Sequence, residues 1–99
     1  MSKIEAKTSV ILVLHSPREK VWGVLEEITN AGVFVRGIDL NAFEDYAGAI
    51  LRGEDFIGFS DQFFPLWRLE RIIRDENSGN IPSLQEQFEQ RTGKKISDF

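Results

Sequence analysis

Few side chains in this sequence could carry chemistry. The single His, His15, stands next to Ser16, a base beside a hydroxyl. Adjacent residues of an extended strand point to opposite sides, however, and no G-x-S-x-G elbow or partnered acid accompanies them. No catalytic residue is therefore assigned, and the chain is not expected to be an enzyme. With one His and no Cys, a zinc site lacks its donors. Asp39, Glu44, Asp45, Glu54, Asp55 and Asp61 gather in the middle of the chain, and hard cations want several such oxygens. Their spacing lacks the ordered donor positions of a calcium loop, so they read as a solvated acidic face, and no metal or other cofactor is expected. Gly23, Gly37 and Gly48 are too scattered for a phosphate loop, and no G-K-[ST] follows any of them.

What is left is recognition chemistry. Arg36, beside Gly37, could contact a ligand or RNA, or could pair with Glu26 or Glu27 across a strand ladder. Trp22 and Trp67, with eight Phe, could stack bases. Burial in the core or in a subunit interface is the stronger reading, because aromatic residues dominate both settings.

The elements that must position these residues start from a hairpin over residues 20–40, KVWGVLEEITNAGVFVRGIDL. Val21, Trp22, Val24, Leu25 and Ile28 precede the polar turn Thr29-Asn30-Ala31-Gly32, and Val33, Phe34, Val35, Ile38 and Leu40 follow it. Apolar residues fall on both faces, so the hairpin needs two covers: a bent sheet closing on itself, and outside it a helix or another copy of the chain. Before it, the continuous apolar run TSVILVL over residues 8–14 predicts a strand near the middle of a sheet, followed by a turn at Pro17. Gly23 and Gly37, inside strands, mark bends, bulges or close backbone approach.

Past Leu40 the period changes. Asn41 as N-cap, Glu44 three residues later and Gly53 as a stop predict an inserted helix over residues 41–52. Gly53 to Asp61 read as loop, pinned by Phe56, Ile57 and Phe59. In QFFPLWRLERIIR, Phe63 and Phe64 precede Pro65, which confines that strand to an edge, a bend or a strand start, and a last strand follows Arg68. The segment DENSGN over residues 75–80 reads as a polar turn or linker. Ser83 with Glu86 and Gly93 bound a C-terminal helix over residues 83–92, whose Leu84 and Phe88 need a docking face on this sheet or a neighbour's. The tail KKISDF reads as solvated at its lysines.

With 99 residues the chain forms one domain, residues 1–99, with a barrel over about 8–75 and a helical tail over 81–99. The absence of Cys suits a reducing interior, and the longest apolar run, Val10 to Leu14, is too short for a membrane span or signal core. A cytoplasmic protein without a membrane or DNA partner is expected. A net charge of −4 argues against broad nucleic-acid binding.

Val10, Leu12 and Leu14 in the first strand, Gly23-Val24-Leu25 in the second, and the late Phe63-Phe64-Pro65 followed by a strand with Ile72 together resemble the Sm-like small β-barrel over residues 8–74. The resemblance implies a mainly β fold, a five-stranded antiparallel SH3-like or Sm-like barrel with the helix as an insertion. It also implies a homo-oligomer, a ring in many members, built by strand pairing, and single-stranded RNA binding at loop residues. Trp22, Phe34, Phe63, Phe64 and Trp67 are the candidates for the subunit interface. Asn30, Arg36 and Arg68 are the positional candidates for RNA. The chain departs from the family pattern in the turn at Thr29-Asn30-Ala31-Gly32, which lacks the acidic residue, and in Arg36-Gly37, which falls in the third strand. The leading reading is an assembly or interaction module without catalysis. An RNA-binding ring protein and a small-molecule or metal-binding domain are the alternatives.

Overall fold

The apolar runs that open the chain lie at the middle of a five-stranded antiparallel sheet. The computed structural model describes residues 3–54 and 58–99. Its strands are β1 (Ser9–Leu14), β2 (Glu19–Ile28), β3 (Gly32–Asp39), β4 (Ser60–Pro65) and β5 (Leu69–Arg74), in the order β4-β3-β2-β1-β5. The central strands have a partner on each side and a cover on each face, which is why their sequences are apolar without strict alternation.

The inner face collects Val10, Leu12 and Leu14 of β1, Val21 and Leu25 of β2, and Val33 and Val35 of β3, with Phe64, Leu69, Ile72 and the lead-in Ile4 packed against them. On the outer face, Trp22 and Ile38 meet Phe43, Tyr46 and Ala47 of helix α1 (Phe43–Arg52) and Phe88 of helix α2 (Leu84–Thr92), with Phe59 and Ile96. The outer cover is thus the chain's own pair of helices. Each large side chain buried this way contributes about 1.5–3 kcal/mol.

The sheet is strongly curled. His15 donates its backbone N–H to the Arg68 carbonyl at 2.9 Å, and Leu66 donates to the Ala31 carbonyl at 3.1 Å. Both ends of β2 are therefore tied to one 3-10 turn, Leu66–Arg68. A straight ten-residue strand would span about 33 Å, whereas three residues reach at most about 10 Å. β2 has to bend. Gly23 and Gly37 stand opposite each other in the β2–β3 ladder. A Cβ would lie 2.3 Å from the Arg36 carbonyl oxygen at Gly23, and 2.4 Å from that of Trp22 at Gly37, so only glycine permits the approach. A bulge between Leu25 and Glu27 adds twist.

The closed barrel expected from the sequence does not form. β4 is held by β3 and β5 by β1, and no ladder joins β4 to β5 across the turn that connects them. Among the described residues, no further strand pairs with either edge of the sheet.

The helix signals are read correctly in part. Ser83 accepts from the Glu86 N–H at 3.0 Å, and Gly53 and Gly93, at φ 68° and 72°, end α1 and α2. Asn41, however, is not the cap of the inserted helix. The carboxylate of Asp39 accepts from Asn41 N–H at 2.8 Å and caps a 3-10 turn, Leu40–Ala42, that runs into α1. The 75–80 segment is more than a linker. Asp75 accepts from the Leu84 and Gln85 N–H groups at 2.7 and 2.9 Å and from Ser9 Oγ at 2.7 Å, while Ser9 Oγ accepts from Trp22 Nε1 at 3.0 Å. In the tail, Lys94 and Lys95 are exposed, but Ile96 is buried and Phe99 packs edge-on against Tyr46. Asp55, Phe56 and Ile57 lie outside the described residues. Among the described residues no helix is long and apolar enough to cross a membrane.

Candidate functional site

Apolar surface left uncovered gathers at one end of the sheet, where the β2–β3 turn, β4 and the turn Leu66–Arg68 meet. Phe34 and Phe63 lie opposite each other on β3 and β4, their ring centroids 4.8 Å apart, and remain 41% and 44% exposed. Leu66 and Trp67 follow, with Trp67 at 64%. The pair exists because Val33 and Val35 take the inner face, so that Phe34 between them points outward. Gly32 leaves room for the Phe63 ring, which a Cβ there would meet at 2.6 Å.

Two expected interface residues are placed elsewhere. Trp22 is fully buried, packed on Phe43, Phe59 and Phe88 at centroid distances of 5.1–5.4 Å, and belongs to the chain's own core. Phe64 turns inward to the other core, with the Arg68 guanidinium 6.0 Å from its ring centroid. Phe34, Phe63 and Trp67 are the interface candidates left at the surface.

The RNA candidates do not converge. Arg36 donates from Nε to the Phe99 backbone oxygen at 3.0 Å and from its guanidinium to Asp61 at 3.1 Å. Its ionic partner is thus the β4 residue opposite it rather than Glu26 or Glu27, and Glu26 pairs with Lys7. Arg68 donates to the His15 and Pro17 carbonyls at 2.8 and 3.0 Å and to Glu19 at 3.0 Å, bracing the β1–β2 turn. Asn30 is exposed in the β2–β3 turn, which Thr29 Oγ1 organises by accepting from the Ala31 and Gly32 N–H groups. These three side chains serve three different places.

The acidic residues are dispersed as well. Asp39 caps a turn, Glu44 pairs with Arg91, Glu54 with Arg52 and Asp61 with Arg36. Among the described residues no three His, Asp or Glu side chains are grouped so as to hold a metal ion. His15 Nδ1 does come within 3.1 Å of Ser16 Oγ, contrary to the expectation from strand geometry. Both residues lie in the turn after β1, where alternation does not apply, and no carboxylate among the described residues orients the exposed ring.

Two concavities lie in the described structure, only the second of them bordering the patch at Phe34. One, of about 550 Å³, lies between the outer face and the tail, lined by Lys7, Glu26, Arg36, Glu89, Lys95 and Phe99, with charges of both signs. The other, of about 490 Å³, is lined by Glu26, Glu27, Phe34, Asp61 and Gln62 and is acidic. Its sign disfavours phosphate groups beside Phe34.

The exposed Leu66 escaped the sequence reading, although Pro65 before it had already marked an edge. Comparison with family models, curated proteins and solved structures finds no match.

Proposed function

We propose that this chain is a non-catalytic assembly module, an Sm-like or SH3-like small barrel in type, that associates with further copies of itself through the edges of its sheet. The strand order, the curl of β2 and the short turn between the two edge strands support an open sheet curled in the manner of such a barrel. The observation that carries the functional reading is β4, a six-residue edge strand paired on one side only, with the half-exposed Phe63 ring beside Phe34. Unpaired edge N–H and C=O groups next to exposed aromatic surface template strand pairing. Light scattering after size exclusion, over a range of concentrations, tests it. A mass of two or more 11.3 kDa chains that falls on dilution is expected. A single-chain mass at every concentration overturns it.

Single-stranded RNA binding is the second reading, favoured by the exposed rings of Trp67 and Phe34, on which bases could stack. The intramolecular commitments of Arg36 and Arg68 and the acids around Phe34 weaken it. A uridine-rich or adenine-rich probe that is not shifted at low salt removes it.

A further inference from the structure

We propose that self-association uses β4 alone and joins two copies about a two-fold axis at Phe63, with β4 running antiparallel to its own copy. The proposal rests on the reading of the chain as a self-assembling module.

The two open edges differ in what they present. Three of the six residues of β5 are charged, Glu70, Arg71 and Arg74, with Glu70 and Arg71 exposed. Charged side chains on an edge strand oppose the approach of another strand. β4 has one charge, Asp61, already paired with Arg36 on the neighbouring strand, and otherwise Ser60, Gln62, Phe63, Phe64 and Pro65. Among the described residues, four of the eight exposed large apolar side chains, Phe34, Phe63, Leu66 and Trp67, lie on or beside this edge. An interface made of one patch on both partners is isologous, and a two-fold operation on a strand edge yields an antiparallel pair.

Centring the axis on Phe63 sets the register. Phe63 faces Phe63 of the second copy, and Asp61 faces Pro65 of the second copy at each end of the ladder, where the missing proline N–H costs one hydrogen bond. The four rings of Phe34 and Phe63 then form one row across the outer face, a cross-strand aromatic arrangement that favours pairing. Repulsion is small. The two Asp61 side chains sit about 14 Å apart along the strands and the two Glu27 about 24 Å apart across them, both beyond a Debye length of about 8 Å.

The chain has no Cys, so Phe63→Cys introduces its sole thiol. Directly opposed residues of an antiparallel pair are about 4.5–5.5 Å apart at Cα, within disulfide reach. Mild oxidation is expected to give a covalent dimer of twice 11.3 kDa. Ser60→Cys, about 20 Å from its own copy, is expected to give none. In the unmodified chain the native mass is expected to reach two chains and stop there. Phe63→Glu is expected to weaken the dimer by about tenfold or more, whereas Ile73→Glu on β5 leaves it unchanged, with circular dichroism confirming that both fold. A larger assembly lost with Ile73→Glu, and no cross-link at position 63, overturns the two-fold while leaving self-assembly standing, because head-to-tail pairing brings no residue to its own copy. A single-chain mass without any cross-link overturns both.

Discussion

At the scale of single residues, Asp75 does more than its place in a polar turn suggests. Its carboxylate takes two N–H groups at the start of α2 and the Ser9 hydroxyl, and Ser9, the one polar residue recorded as buried among those described, in turn holds the Trp22 indole. Asp75→Ala leaves these donors unmet, which at about 1 kcal/mol for a helix cap and 1–3 kcal/mol for a buried group predicts a loss of about 2–4 kcal/mol. Urea denaturation measures it, with Glu76→Ala, exposed in the next position, expected within about 0.5 kcal/mol of the parent. A second residue links stability to pH. Burial pushes the Tyr46 phenol above its ordinary 10.0, opposed in part by a hydrogen bond with the Phe59 backbone and by the Arg36 charge. The folded chain then keeps the phenol proton longer than the unfolded chain does. This contribution is complete below pH 10.0 and is lost as pH rises through that value toward the folded pKa. Tyr46 is the only tyrosine. Urea midpoints at about pH 8 and about pH 10.5 should therefore fall further on the alkaline side in the parent than in Tyr46→Phe; equal slopes would count against burial as the cause.

At the scale of elements, the bend in β2 depends on two glycines with no room for a methyl group. Gly23→Ala or Gly37→Ala places a Cβ against facing backbone, so the strands must part, and a loss of several kcal/mol or failure to fold is expected. Gly53→Ala meets nothing within 4 Å and carries only left-handed backbone strain, predicting about 1 kcal/mol. A thermal melt of both variants distinguishes them, and equal losses would contradict the close approach. These positions also explain what the sequence made legible. Caps such as Ser83, Gly53 and Gly93 act within one turn, and the in-strand glycines and Pro65 restrict their own backbone, so each is visible in the residues themselves. Asn41 misled because Asp39, two residues earlier, offers a better-placed acceptor. The outer aromatic cluster was half visible, since Phe88 was known to need a docking face, but Ile96 and Phe99 reach it through a tail whose lysines masked them. An edge at Pro65 was one of the readings the residues allowed, but the two edges that stay open were not visible together. They follow from the long-range bonds of Leu66 to Ala31 and of His15 to Arg68, which no local spacing records.

At the scale of the whole molecule, the two cores share one sheet. β2 gives Val21 and Leu25 to the inner cluster and Trp22 to the outer, and β3 gives Val33 and Val35 to one and Ile38 to the other. Neither cluster can melt while the other stays intact, because each strand would have to remain paired with one face bared to water. Unfolding should therefore be a single cooperative transition, as small domains usually show. Trp67→Phe isolates the test. It removes an exposed reporter at little expected cost and leaves Trp22 alone to sense the outer core, while far-ultraviolet circular dichroism follows the sheet. The two signals should trace one urea curve. Phe88→Ala in that background removes a fully buried ring that touches Trp22, Phe43 and Tyr46, at about 3–5 kcal/mol. Against a total of about 5–15 kcal/mol, the midpoint should move far while the two curves remain superimposed. If Trp22 emission shifts before the sheet signal falls, the helices and tail form a separable cover, and the outer face of the sheet survives without it. Coincident curves mean that α1, α2 and the tail are integral to the fold, which leaves the open edges, rather than the covered face, as the surface this chain can offer a partner.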